Sequence, residues 1–127
     1  MFYKVKSMGL TGLNAFPVTA EIEGSSELPD FQIIGLADAA VRECRERLKS
    51  AFRTTGLNFP EQRVVVNLAP ADVRKTGTVH DLAIAAALCM VQGWIKKSAV
   101  ENAAFIGEVS LGGEIRAVRG VLPMTIL

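Results

Sequence analysis

The chain has one histidine and two cysteines, and no lysine follows Lys97. Each scarcity removes a class of chemistry. Cys44 and Cys89 stand in apolar helical patterns, with no CxxC spacing and no histidine at ligand distance. Free buried thiols of a reducing compartment are therefore expected, and neither a disulfide nor a metal site. No apolar run approaches bilayer length, and the longest, Leu82 to Val91, is alanine-rich and fits a buried helix. Met1 to Lys6 alternates in polarity, unlike a secretory leader, so a cytoplasmic protein is expected without a membrane partner. There is no GxxxxGK[ST] and no GxGxxG opening a helix after a strand, so this chain is expected to hold no nucleotide or other cofactor.

The 127 residues suffice for one domain with a real core. Half are hydrophobic and the formal net charge is +1, so overall charge names no partner. Tyr3 to Leu10 reads as a strand with Tyr3, Val5 and Ser7 on one face and Lys4 and Lys6 on the other. A turn at Gly12-Leu13-Asn14 leads to a second strand, Phe16 to Glu23, where Val18, Ala20 and Ile22 face inward. Together they predict a hairpin. After the polar loop Gly24–Asp30, Phe31 to Leu36 is a short apolar strand. Asp38 caps a helix predicted to run unbroken to about Thr55. Val41, Cys44, Leu48 and Phe52 form its apolar stripe, and Gly56 stops it. Val64-Val65-Val66 reads as a buried strand. A second helix spans Asp81 to about Gln92, with Gly93 at its end. Ala104–Leu111 and Glu114–Val118 are expected to form a hairpin about a tight primed turn at Gly112-Gly113. Gly120 to Leu127 reads as the start of a further element, as expected of a piece of a longer protein. The order predicts an α+β fold, a mixed sheet with helices on one face.

Candidate chemistry is thin. Adjacent residues at a helix start diverge, so His80-Asp81 does not make two members of a triad; Asp81 is expected as a first-turn carboxylate and His80 as a partly exposed neighbour. Residues 38–75 hold eight of the fourteen Lys and Arg: Arg42, Arg45, Arg47, Lys49, Arg53, Arg63, Arg74 and Lys75. Five acids share that stretch. Arg42, Arg45, Lys49 and Arg53 recur at helical spacing. One reading is a solvated face laced with pairs such as Glu43–Arg47. The other is a surface for nucleic-acid phosphate or an acidic partner, with Arg42, Arg45, Lys49, Arg74 and Lys75 as its residues. The one aromatic among the helical cations, Phe52, belongs to the apolar stripe, so single-strand base stacking is not indicated. The loop Asn67–Gly77 reads equally as a connector or as a contact surface.

Two stretches carry a resemblance. Arg74-Lys75-Thr76-Gly77-Thr78-Val79-His80-Asp81-Leu82 leads into a helix, and Ile106-Gly107-Glu108-Val109-Ser110-Leu111-Gly112-Gly113-Glu114-Ile115-Arg116 reads as strand–turn–strand. Both are similar to the outline of a Lon-type serine–lysine peptidase domain. Val79 stands where the resemblance puts the serine, and Leu122 where it puts the lysine. A dyad needs a hydroxyl and an amine that can lose a proton; Thr78, one position away, would still lack a base, because only Arg116 and Arg119 follow as cations. The resemblance implies a frame without the chemistry.

A longer resemblance covers nearly the whole chain. Phe31 to Arg47, Val65 to Lys75, Phe105-Ile106-Gly107-Glu108 and Val118 to Met124 resemble, in order, the N-terminal domain of the ComM/YifB family, also labelled magnesium-chelatase-related. The resemblance implies the ribosomal protein S5 domain 2-like fold. It implies an AAA+ ATPase domain beyond residue 127, which would hold ATP and magnesium, and a hexameric motor that moves branched DNA during natural transformation. This domain would then contribute DNA contact, ring assembly or both; a pure oligomerisation scaffold is the alternative, and an active peptidase a remote one. The family usually has Gly-Pro after the Arg-Lys pair and an apolar or aromatic residue before the aspartate. Gly77-Thr78 and His80 depart from that pattern.

Overall fold

The computed structural model describes residues 1–11 and 14–117. Four strands, β1 (Phe2–Thr11), β2 (Asn14–Ser25), β3 (Asp30–Ile34) and β4 (Arg63–Ala69), form one sheet in the order β1-β2-β4-β3. The first two pairings are antiparallel and β3–β4 is parallel, so the sheet is mixed as expected. Residues Gly12 and Leu13 of the expected turn, Val118 of the expected hairpin strand, and the expected element Gly120 to Leu127 lie outside the described residues. The hairpin forms with Val5 opposite Ala20 and Ser7 opposite Val18.

Period-2 alternation decides the faces. Val5, Val18, Ala20, Ile22, Phe31, Val64, Val66 and Leu68 are buried on one side. Lys4, Lys6, Glu23 and Gln32 stand exposed on the other. Val65 is a correction to the expected buried run: its side chain falls on the polar face and is half-buried. A strand covered on one face only cannot bury three consecutive residues.

Asp38 caps the first helical segment as expected, its Oδ1 accepting from the Val41 amide at 2.8 Å. The predicted single helix is interrupted at Glu43, giving α1 (Ala39–Arg42) and α2 (Cys44–Thr54). The apolar stripe survives, with Val41, Cys44, Leu48 and Phe52 all buried. The end at Gly56 is a Schellman motif: the Leu57 amide donates to Phe52 O at 2.8 Å and the Gly56 amide to Arg53 O at 3.2 Å.

Helix α3 (Asp81–Val91) lies under β1 and β2 and touches α2. Its residues are apolar nearly all round, and Ala83, Ile84, Ala87, Leu88 and Met90 are buried, which makes it the centre of the core. A short α4 (Lys97–Val100) precedes the small hairpin of β5 (Glu108–Val109) and β6 (Ile115–Arg116). This hairpin differs from expectation. Its strands are two residues long, and the turn spans Leu111-Gly112-Gly113: the Ser110 amide donates to Glu114 O at 2.8 Å and the Gly113 amide to Ser110 O at 3.0 Å. Gly113 alone takes a positive φ, +88°, as a three-residue loop with a bulge requires. Ala104, expected within this strand, instead bridges to Lys6 of β1.

Candidate nucleic-acid interface

The turn before α3 holds Val79, the position to which the Lon-type resemblance in sequence assigns the nucleophile. Val79 is half-buried there, and its carbonyl accepts from the Gly107 amide at 3.0 Å. The Leu82 amide returns a bond to Gly107 O at 3.1 Å, so the two resembling segments do meet. Leu122 lies outside the described residues.

His80 is not partly exposed, as expected from sequence, but 1% exposed. Its Nδ1 shares a 2.9 Å hydrogen bond with Ser7 Oγ, itself buried on β1, while Nε2 has no partner among the described residues. Burial, helped by the positive charge of Lys75, lowers its pKa to about 4, so the ring is neutral at physiological pH. Asp81 beside it is committed elsewhere. Arg47 Nε donates to Asp81 Oδ2 at 2.7 Å and Nη2 to Oδ1 at 2.8 Å, with a further bond from Nη2 to Ala40 O at 3.0 Å. The Val109 amide also donates to Asp81 Oδ2, at 3.2 Å. Burial pushes the Asp81 carboxyl up and the Arg47 hydrogen bond pulls it back, while that same bond raises Arg47. Arg47 therefore pairs across the core rather than with Glu43 on the helix surface. Serine, histidine and aspartate lie close in this region, yet both Ser7 and His80 are sealed from solvent and the carboxylate holds an arginine. The arrangement pins β1, α2, α3 and β5 together.

Lys75, expected on a basic surface, is also buried, at 1% exposure. Its ammonium donates to Gly35 O at 2.9 Å and to Pro70 O, and burial lowers its pKa. Its backbone extends the pairing: the Lys75 amide donates to Leu36 O at 2.9 Å, and Asp38 N donates to Lys75 O at 3.0 Å. The loop after β4 is thus stitched to the segment before α1. Arg74 remains exposed beside this seam, near the start of α1.

The other cations share one flank of α1 and α2. Arg42 and Arg53 are exposed, Arg45 and Lys49 half-buried. Among the described residues, the one ion pair they form is a loose 3.9 Å contact of Arg45 with Glu46. Arg42 and Arg45 border a cavity of about 130 Å³ floored by Phe31. Lys49 and Arg53 border a second of about 400 Å³ with Leu57, Asn58 and Phe59. Lys49 Nζ lies 5.8 Å from the Phe59 ring centroid, and Phe59 in turn packs 5.5 Å from Phe52 and 5.7 Å from Phe31. Phe52, between Lys49 and Arg53 in sequence, is buried in the core; Phe59 is brought beside the cations by the loop after α2. From Arg42 to Arg53 the flank runs about 16 Å along the helix axis, long enough to meet several phosphates.

Residues 20–127 match the family described as subunit ChlI of Mg-chelatase, and the chain belongs to it. Within that class, similarity runs to particular proteins. YifB of Salmonella typhimurium is 37% identical over 118 residues, covering 93% of this chain and 23% of that protein. The competence protein ComM of Haemophilus influenzae is 35% identical over 119 residues, covering 94% and 23%. The DNA repair protein RadA of Treponema pallidum is 44% identical over 68 residues, covering 53% and 14%. The resemblance to ComM and YifB read from sequence is borne out. The chain spans about a quarter of the length of these two relatives.

Proposed function

We propose that this chain is a non-catalytic, S5 domain 2-like domain of a ComM-type AAA+ motor in the cytoplasm, and that it contributes contact with DNA. The observation that carries this reading is the cationic flank Arg42, Arg45, Lys49 and Arg53, nearly free of acid partners and backed by Phe59. Arg74 extends it from the neighbouring loop. Lys75 drops out, because its ammonium is bonded inward. The names of ComM, a competence protein, and RadA, a DNA repair protein, agree with a role on DNA. ATP hydrolysis, with its magnesium, belongs to an ATPase domain elsewhere in the full protein, and branch migration in a hexameric ring is the activity this domain would serve. Fluorescence anisotropy with single-stranded, duplex and four-way-junction DNA tests the reading. Charge reversal of Arg42 and Lys49 is expected to weaken binding; affinity unchanged by both would refute it.

One observation favours a second reading, assembly without DNA contact. Leu111 and Ile115 on the small hairpin are 59% and 63% exposed, an apolar tip suited to packing on a neighbouring subunit. Light scattering of the full-length protein with and without residues 1–127 separates the two. A ring that forms equally well without them would defeat the scaffold.

A further inference from the structure

The outer edge of β1 has features that neither reading uses. Met1 and Gly24 exchange backbone bonds, with Gly24 N donating to Met1 O at 2.9 Å. Odd-numbered residues of β1 therefore turn their N–H and C=O groups toward β2, and even-numbered residues turn theirs outward. Lys6 confirms the phase, its carbonyl accepting from the Phe105 amide at 2.8 Å on the outer side. Phe2 and Lys4 share that phase, and among the described residues no backbone bond meets them there. A cavity of about 340 Å³ wraps this edge. Among the described residues, Lys4, Lys6 and Lys97 line it with one acid, Glu101, while Glu21 stands opposite Lys4 on β2, and Met90 and Val100 give it an apolar floor.

We propose that this edge receives an extended acidic segment of a partner protein, added as a short strand beside Phe2–Lys4. The backbone geometry selects a peptide. An outward-facing row offers both donors and acceptors, and only another backbone answers both; a phosphate chain would leave the Phe2 and Lys4 carbonyls facing anionic oxygen. The side chains select its composition. A guest strand alternates its side chains, so acids on one face meet Lys4 and Lys6, two residues apart, and apolar groups on the other face reach Met90 and Val100, with Lys97 one helical turn from Val100. The Phe105–Lys6 bond sets the limit of the guest strand at that end. Lysines on a sheet edge can also serve only to repel pairing, and the experiment distinguishes that case.

The probe is a peptide of about eight residues alternating glutamate and valine, titrated into the isotopically labelled 127-residue chain. Binding is expected to slow hydrogen exchange at the Phe2 and Lys4 amides. The double variant Lys4→Glu/Lys97→Glu, both exposed positions, is expected to keep its fold by circular dichroism and lose affinity about tenfold or more. N-methylation of alternate residues of the peptide should abolish binding. The proposal is overturned if the peptide leaves both amides unprotected, if the methylated peptide binds equally well, or if an oligothymidylate protects the same amides with the same lysine dependence. The last result would make the edge a nucleic-acid surface.

Discussion

Acidification should destabilise this domain through one buried residue, His80. His80 is neutral and buried in the native state, with a pKa of about 4 against an ordinary 6.5. The unfolded chain takes up the proton as pH falls through about 6.5, while the folded chain refuses it until about 4. The contribution to stability is therefore whole above the unfolded value and is lost progressively down to the folded one. Linkage across this interval gives a loss of about 2 kcal/mol between about pH 7 and about pH 5, rising to about 3 kcal/mol near pH 4. Urea unfolding at a series of pH values measures it. Carboxylates titrate in the lower part of the range, so the quantity to compare is the difference from His80→Gln, which cannot take up the proton. His80 is the chain's one histidine, so its imidazole proton resonances can be followed without ambiguity. A folded-state titration near 6.5, or an equal pH slope in the variant, would refute the reasoning.

Other consequences are as direct. Arg47→Met leaves the Asp81 carboxylate buried without its partner and should cost about 3–5 kcal/mol in chemical denaturation, much of it restored in the double variant Arg47→Met/Asp81→Asn. Gly35 has φ +104°, and a Cβ there would meet the Leu68 carbonyl, so Gly35→Ala should destabilise by about 1–3 kcal/mol or more. Cys44 is wholly buried and its thiol is pushed up to about 12, so a thiol reagent near neutral pH should label it only after unfolding, and should label half-buried Cys89 earlier.

What could be read from the sequence was local. The β1–β2 hairpin, the stripe Val41–Cys44–Leu48–Phe52, the Asp38 cap and the stop at Gly56 each follow from residues a few positions apart, where periodicity and capping act. What escaped was decided across the chain. Arg47 and Asp81 are 34 positions apart and Ser7 and His80 are 73 apart, so nothing nearby marks either pair. Lys75 looked like half of an exposed basic pair because composition does not tell which lysine faces inward; its ammonium finds carbonyls of Gly35 and Pro70 only after β3 and β4 align. Phe59 sits 10 residues beyond Lys49 and returns to it by the turn at Gly56. The cationic spacing of Arg42, Arg45, Lys49 and Arg53 could be read from the sequence; the aromatic beside it and the loss of Lys75 could not.

The measurement closest to the central claim is the salt dependence of duplex DNA binding by this chain. Four cations engaged on phosphate predict a slope of log K against log salt of about −3.6, or roughly a 150-fold loss between about 50 and 200 mM. Removing two of them in Arg42→Ala/Lys49→Ala should halve the slope to about −1.8 and the loss to roughly 12-fold. A flat salt response would contradict the account and remove DNA contact from this domain; a slope the double variant leaves unchanged would contradict it by removing that contact from this flank.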